Sequence, residues 1–356
     1  MKKPLYLLTY EYLRKEITDG VYTYGSRLPS RRVFAEQNGI STVTVSHAYD
    51  MLCDEGYVRA KEKSGYYVIF REPELFPVGN SQVTVQTNNS HRVNSFPFTV
   101  LARTMRRVIT EYGEEILEKT PNKGCPLLRN VISAYLRRSR GICANAENII
   151  IGSGAEYLYG IVIRLLGRNR KYAIETPSYD KISQIYTAEG IAFEKLPLGR
   201  SGIESKALLN TDAEVLHITP YRSFPTDITA TASKRNEYLC WAEEKNRIII
   251  EDDFYSEFSL MKKPEETLFA AAGKNNVIYL NTFTLTVSPA LRIGYAVLPE
   301  QLMELYETNV SFYSCPVPTF EQLVLAEIIA NGDFERHLNR EKRKRRKLQD
   351  TEKDRF

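Results

Sequence analysis

Leu5, Leu8, Tyr12, Leu13 and Ile17 recur at helical spacing, and Gly20 stops the run. After the turn Tyr24-Gly25-Ser26-Arg27-Leu28-Pro29, Ser30 suits an N-cap and Gly39 a C-terminal stop. Val33, Phe34 and Gln37 form the short amphipathic face between them. Ser41 caps a third helix, with Val45, Ala48, Tyr49 and Leu52 on one face. Its other face carries Thr42, Thr44, Ser46, His47 and Asp50, and Gly56 ends it. Tyr57–Ala60 and Tyr66–Phe70 flank the turn Lys61-Glu62-Lys63-Ser64-Gly65, which predicts a β-hairpin.

Residues 71–95 are polar, hold two prolines and show no sustained period, so an interdomain linker is expected there. From Phe96 to Asn339 helical patterns alternate with short β-rich runs. The runs are Ile149–Ile151, Tyr172–Ile174, Val215–Ile218, Ile248–Ile250, Val277–Leu280 and Ile293–Val297. Such alternation predicts an α/β domain with a largely parallel sheet.

The chain has 356 residues, enough for about two domains at ~150 residues each. Apolar residues are 43% and charged residues 26%, which excludes a disordered chain, a collagen repeat and a coiled-coil rod. The net charge is only +4, but its distribution is uneven. Residues 1–71 carry 11 Lys/Arg against 8 Asp/Glu, and residues 336–356 carry 10 against 4. The body between them is acidic, which suits a binding module joined to a separate body. The five cysteines and four histidines are scattered, so neither a disulfide framework nor a metal site is expected. The N-terminus lacks an apolar signal region. The apolar stretch Tyr157–Leu166 is too short to span a bilayer and contains Arg164. A cytoplasmic protein without membrane contact is expected.

Three short helices and a basic hairpin make a winged helix-turn-helix pattern. A helix entering the major groove needs small hydrogen-bonding side chains at its N-terminal end, and Ser41, Thr42 and Thr44 supply them, with Ser46 and His47 following. Arg31 and Arg32 open the preceding helix, within reach of phosphates or a guanine edge. Lys61 and Lys63 sit at the hairpin tip, placed for phosphates beside the groove. A small helical domain with a polar outer face is the bland alternative. The strings RLPSRR and TVSHAYDMLCDEGYV resemble the N-terminal domain of the GntR family of bacterial transcription regulators, over residues 4–70. That resemblance implies sequence-specific binding of a double-stranded DNA operator.

In the body, Ile151-Gly152-Ser153-Gly154-Ala155 follows a strand and opens a helix, a geometry whose backbone N–H groups suit a phosphate. Glu251-Asp252-Asp253-Phe254 follows the run Ile248–Ile250; a carboxylate there can face a ring nitrogen or a metal, or cap a helix. In order, SGAEYLYG, ETPSYD, ITPYRSFPTD, IIIEDDFYSEF and YLNTFTLTVSPALRIGYAVLP resemble fold-type I aminotransferases, as fused in the MocR-type subfamily of GntR regulators. The resemblance implies pyridoxal 5′-phosphate (PLP), a homodimer and a small-molecule effector. It assigns Ser153, Gly154, Ala155 and Thr284 to the phosphate cup and Arg292 to gripping the phosphate. Tyr179 would stack on the ring, and Asp252 would pair with the ring nitrogen.

The chain departs from the pattern at telling positions. The family's covalent lysine lies in TFSKTL; here Thr282–Val287 reads TFTLTV, with Leu285 in the lysine's place. Leucine has no amine to bond the cofactor or move a proton. Phe254 replaces a tyrosine, and Ser223 and Asp227 replace the amide and glycine of HQFPTG; the Asp227 carboxylate is expected to repel phosphate. The family pattern fades after Asn339, so an incomplete C-terminal lobe is expected, followed by a basic tail over 340–356. Arg340–Lys347 is basic at seven of eight positions, either a second nucleic-acid contact or a solvated helix face. The leading reading is a DNA-binding regulator with a degenerate aminotransferase-like sensor, catalytically inactive. Residual PLP, or pyridoxamine 5′-phosphate (PMP), would bind without a covalent bond. The rivals are an active PLP-dependent aminotransferase, which Leu285 opposes, and a fragment whose body does not fold.

Overall fold

The computed structural model describes residues 4–61, 64–70, 96–259, 265–272 and 276–353, the side chains of 348–353 excepted. The chain divides into two compact units, Met1–Asn88 and Asn89–Phe356. The expected linker, 71–95, lies outside the described residues.

The first unit holds α1 (Leu5–Thr18), α2 (Arg31–Asn38), α3 (Thr42–Asp54) and an antiparallel hairpin of β1 (Val58–Lys61) and β2 (Gly65–Val68). Ser30 Oγ accepts from Val33 N, and Ser41 Oγ accepts from Thr44 N at 3.1 Å, so both expected caps form. Gly39 closes α2 at φ 63°, a left-handed conformation that costs a glycine little. Leu13, Val45, Ala48, Tyr49 and Leu52 are fully buried with Leu28 and Val58. The face expected for α1 is corrected. Tyr10, Leu13 and Ile17 are buried, whereas Leu5 and Tyr12 are each 52% exposed. The helix carries two apolar stripes, and only the one at 10, 13 and 17 faces α3.

The second unit is an α/β/α sandwich. Its strands are β3 (Ile149–Gly152), β4 (Tyr172–Thr176), β5 (Phe193–Gly199), β6 (Gly202–Ile203), β7 (Val215–Ile218), β8 (Ile248–Asp252), β9 (Val277–Thr282) and β10 (Gly294–Val297). Their order is β3-β10-β9-β8-β7-β4-β5-β6. The run from β9 to β5 is parallel; β10 is antiparallel to both its neighbours, and β6 to β5. All six expected strands form, but β5 and β6 were not expected. Only Leu196 of β5 is buried, so that strand near the sheet edge lacks the apolar run that marks the others. The helices are α4 (Phe98–Tyr112), α5 (Pro126–Arg140), α6 (Ala155–Leu166), α7 (Asp180–Ala188), α8 (Ser205–Asn210), α9 (Ala232–Glu244), α10 (Leu268–Ala271), α11 (Met303–Asn309), α12 (Thr319–Ala330) and α13 (Asp333–Lys353).

Side chains alternate across a strand, and the strands bury both faces. On one face Ile249, Leu216 and Tyr279 meet α5, α9 and α12. On the other Ile250, Ile174 and Leu280 meet α6, α7 and α11. The boundary expected at Asn339 is not a structural break. Helix α13 runs through it, Glu341 is buried and the Arg345 guanidinium lies 4.1 Å from the Phe258 ring centroid. The start of the basic run is therefore part of the body rather than a free tail.

Candidate functional site

In the first unit, α3 buries one face and presents Ser41, Thr42 and His47, all exposed, on the other, with Thr44 and Ser46 half-buried beside them. Ser41 and Thr44 hydroxyls lie 2.8 Å apart, so part of their hydrogen-bonding capacity is spent on the cap. Arg31 Nη1 donates to Ser46 Oγ at 3.2 Å, and its guanidinium lies 5.6 Å from the Tyr66 ring centroid. That holds Arg31 where α2, α3 and the hairpin converge. Arg32 pairs with Glu36 at 3.2 Å, but both side chains are largely exposed, so the pair constrains it weakly. Lys61 Nζ lies 4.7 Å from the Tyr67 ring centroid at the hairpin. Lys63 lies outside the described residues. The unit therefore brings Arg31, Arg32, the start of α3 and Lys61 into one small domain.

In the second unit the strand register gathers the phosphate-type residues. Gly152 on β3 and Thr282 on β9 both pair with Gly294 on β10. The loop Ser153-Gly154-Ala155 leaves β3, Thr284 follows β9 and Arg292 precedes β10, so all reach the same end of the sheet. A Cβ on Gly294 would stand 3.0 Å from Asn281 O and 3.3 Å from the Gly154 backbone, so a side chain there would require the neighbouring backbone to give by a few tenths of an ångström. Gly154 has φ +83°, and a Cβ there would stand 3.7 Å from Arg292 Nη2. Thr282 and Thr284 hydroxyls are 2.8 Å apart. Arg292 Nη2 also lies 3.3 Å from Glu156 Oε2, and Glu156 receives a hydrogen bond from Lys181. The Lys181 ammonium holds the Glu156 carboxyl below its usual range.

Asp252 ends β8 on the α6 side and is 1% exposed. Its Oδ2 accepts from the Tyr159 hydroxyl and lies 3.6 Å from His217 Nε2. His217 Nδ1 is 2.9 Å from Tyr186 Oη, and Tyr186 is itself fully buried. Asp252 Oδ1 has no hydrogen-bond partner among the described residues. A buried carboxylate oxygen without a donor is costly, and a protonated ring nitrogen would satisfy it. Tyr179 is half-buried at the start of α7, edge-on to Phe224 at 6.3 Å. Sequence reasoning missed Glu156, Tyr159 and His217. The last two were visible only as single polar groups inside the apolar runs of α6 and β7.

The residues fit part of a PLP-type cofactor. Asp252 Oδ1 offers the ring nitrogen an acceptor, and Gly154 with Arg292 forms a cradle for a phosphate. The covalent point does not fit: Leu285 is half-buried and packs against the core on the α5 side. Phe254 offers no hydroxyl. Asp227 Oδ1 accepts from Arg222 Nε at 2.8 Å, a largely exposed pairing that offsets part of the repulsion expected from its carboxylate. Asp227 also takes φ +58°, which explains a glycine in the family string at this position.

A cavity of about 1040 Å³ lies on the α5 side, lined among others by Arg140, Arg222, Arg235, Glu257 and Lys342. None of the candidate cofactor residues lines it. Among the described residues no cluster of His, Cys, Asp or Glu is placed to hold a metal, and no helix is long and apolar enough to cross a membrane.

Residues 5–68 match the family model described as bacterial regulatory proteins, gntR family. Over 97% of the chain and 77% of its own length, the HTH-type transcriptional regulator YdeL of Bacillus subtilis is 31% identical. The probable rhizopine catabolism regulatory protein MocR of Rhizobium meliloti is 28% identical over 96% of the chain and 74% of its own. Among solved structures, the Pyrococcus horikoshii kynurenine aminotransferase, crystallised with PMP, superposes with a TM-score of 0.63 at 23% identity. The match covers 70% of this chain and 64% of that one, so the chain spans less than two thirds of that aminotransferase.

Proposed function

The chain belongs to the GntR family of bacterial regulatory proteins, as a MocR-type regulator with an aminotransferase-like body, and from that premise we propose that the body is a sensor which has lost covalent cofactor chemistry. DNA binding and transcription regulation are the function of the whole. The observation that carries the finer reading is Leu285, an apolar side chain in the covalent lysine's place. When bound, a PLP-type cofactor supplies an electron-withdrawing ring and a reactive carbonyl. This chain's own residues would orient such a ring without bonding to it. Asp252 would accept the ring N–H, Tyr179 would cover the ring face, and Ser153, Gly154, Ala155, Thr284 and Arg292 would take the phosphate. The Leu285 side chain cannot move a proton between substrate atoms, so transamination is not assigned to this protein.

PMP already carries an amine, so PLP loses its usual advantage over it. Calorimetric titration of both ligands, then borohydride reduction and mass spectrometry, tests the reading. The expected result is no PLP adduct on a lysine of the pocket and comparable affinities; a reduced PLP adduct on a lysine in the pocket overturns it.

In the first unit, Arg31, Arg32, Thr42, Thr44, Ser46 and His47 would face the groove and its phosphates. Ser41 would add a contact at the start of α3, and Lys61 and Lys63 would hold the backbone beside it. The protein would act in the cytoplasm as a homodimer, two units raising the effective concentration at paired half-sites. A small-molecule effector would bind the body.

A further inference from the structure

We infer that Glu156 is a built-in carboxylate that occupies Arg292 and thereby weakens the site for phosphate monoesters. This inference rests on the reading of Ser153–Ala155 and Arg292 as a phosphate cradle. Glu156 lies in the first turn of α6, directly after that loop. Its Oε2 is 3.3 Å from Arg292 Nη2, and its Oε1 takes the Lys181 ammonium. The same Arg292 nitrogen stands beside Gly154, where a phosphate would meet the backbone N–H groups. A phosphate entering there must displace the carboxylate from Arg292 and then remain close to its negative charge. Glu156 cannot withdraw far, because Lys181, in the first turn of α7, holds its other oxygen. Arg292 and Glu156 are about half and one-third exposed, so solvent weakens the pairing and the effect is a moderate one.

The chemistry makes Glu156 a specificity determinant. It disfavours the dianionic phosphate while leaving contacts to the ring untouched. With Leu285 removing the covalent bond, the carboxylate lowers what remains of cofactor affinity and shifts the body towards ligands with less negative charge at this end.

The test titrates inorganic phosphate, PMP and pyridoxine, which shares the ring but lacks the phosphate, into the full chain, Glu156→Gln and the double variant Glu156→Gln/Arg292→Ala. Glu156 is partly exposed, and thermal melting checks that each variant is folded. In Glu156→Gln, phosphate and PMP are expected to bind roughly two- to fivefold more tightly, as removing one near-surface charge allows. Pyridoxine is expected to be unchanged, and the gain is expected to vanish in the double variant. Failure of Glu156→Gln to bind phosphate more tightly than the unaltered chain overturns the inference, including the case in which neither binds at millimolar concentration. A gain that survives Arg292→Ala overturns both it and the cradle reading. A PLP adduct captured on a lysine in the pocket would overturn the non-covalent reading alone, while a phosphate gain in Glu156→Gln would leave this one standing.

Discussion

Asp252 and Asp253 are consecutive, yet their carboxylates serve opposite faces of the sheet. Asp252 accepts from Tyr159 on the α6 side, and Asp253 Oδ2 accepts from Arg140 Nη2 at 2.6 Å and Tyr279 Oη at 2.7 Å on the α5 side. The strand's two-residue period makes the separation. Each carboxylate keeps an Oδ1 without a hydrogen-bond partner among the described residues, but that of Asp252 lies at the candidate cofactor site, whereas Asp253 is held in a buried ion pair.

Arg140→Ala should destabilise the second unit by about 3–5 kcal/mol, because it leaves Asp253 buried without its cation. Both side chains are nearly inaccessible, at 7% and 0% exposed, so solvent cannot replace the partner. Urea unfolding followed by Trp241 fluorescence measures this. A shift below about 1 kcal/mol would show the pair to be dispensable.

Asp252→Asn should leave the fold largely intact, because the amide can still accept from Tyr159, but should weaken PMP. An amide is a poorer partner for a protonated ring nitrogen than a carboxylate, and charged hydrogen bonds contribute about 1.5–3 kcal/mol. Calorimetry reads the affinity and melting reads the fold; equal PMP binding by the variant would remove Asp252 from the ring-nitrogen role.

Arg31→Ala should cost about 1–3 kcal/mol of operator binding if the guanidinium reads a guanine, and less if it touches only phosphate. Anisotropy titrations at several salt concentrations separate the two, since a lost phosphate contact lowers the salt slope by about one. Operator binding unchanged in the Arg31→Ala/Arg32→Ala double variant would sink the proposed docking.

The body should lose stability as pH rises from 5 to 8. Burial pushes Glu175, Glu251 and Glu257 each up to about 7. These folded values lie above the unfolded one, so the native state holds more protons between them and stability falls with rising pH. The penalty is absent below the unfolded value and complete above about 7. His337, whose charged form is disfavoured by burial, works in the opposite direction at the acid end. Glu175→Gln should flatten the profile, because it removes one of the three titrations. A melting temperature that rises steadily from pH 5 to 8 would contradict the assignment.

Much was determined by the sequence alone. Ser30, Gly39 and Ser41 bound their helices through local capping, and the proposal that covalent cofactor chemistry is lost rests on the identity of Leu285 within TFTLTV. The apolar runs at 149, 172, 215, 248, 277 and 293 marked buried strands because both their faces are covered. Tertiary structure decided what depends on partners far away in the chain. Leu5 and Tyr12 had the spacing of a core face, but packing against α3 selected the neighbouring stripe. Strand β5, next to the sheet edge, buries one side chain and had no pattern to read. Glu156 came beside Arg292, 136 residues along the chain, only when β3, β9 and β10 brought their ends together. Local signals report the backbone's own preferences, whereas ion pairs and cradles are set by register between distant strands, which no short string encodes.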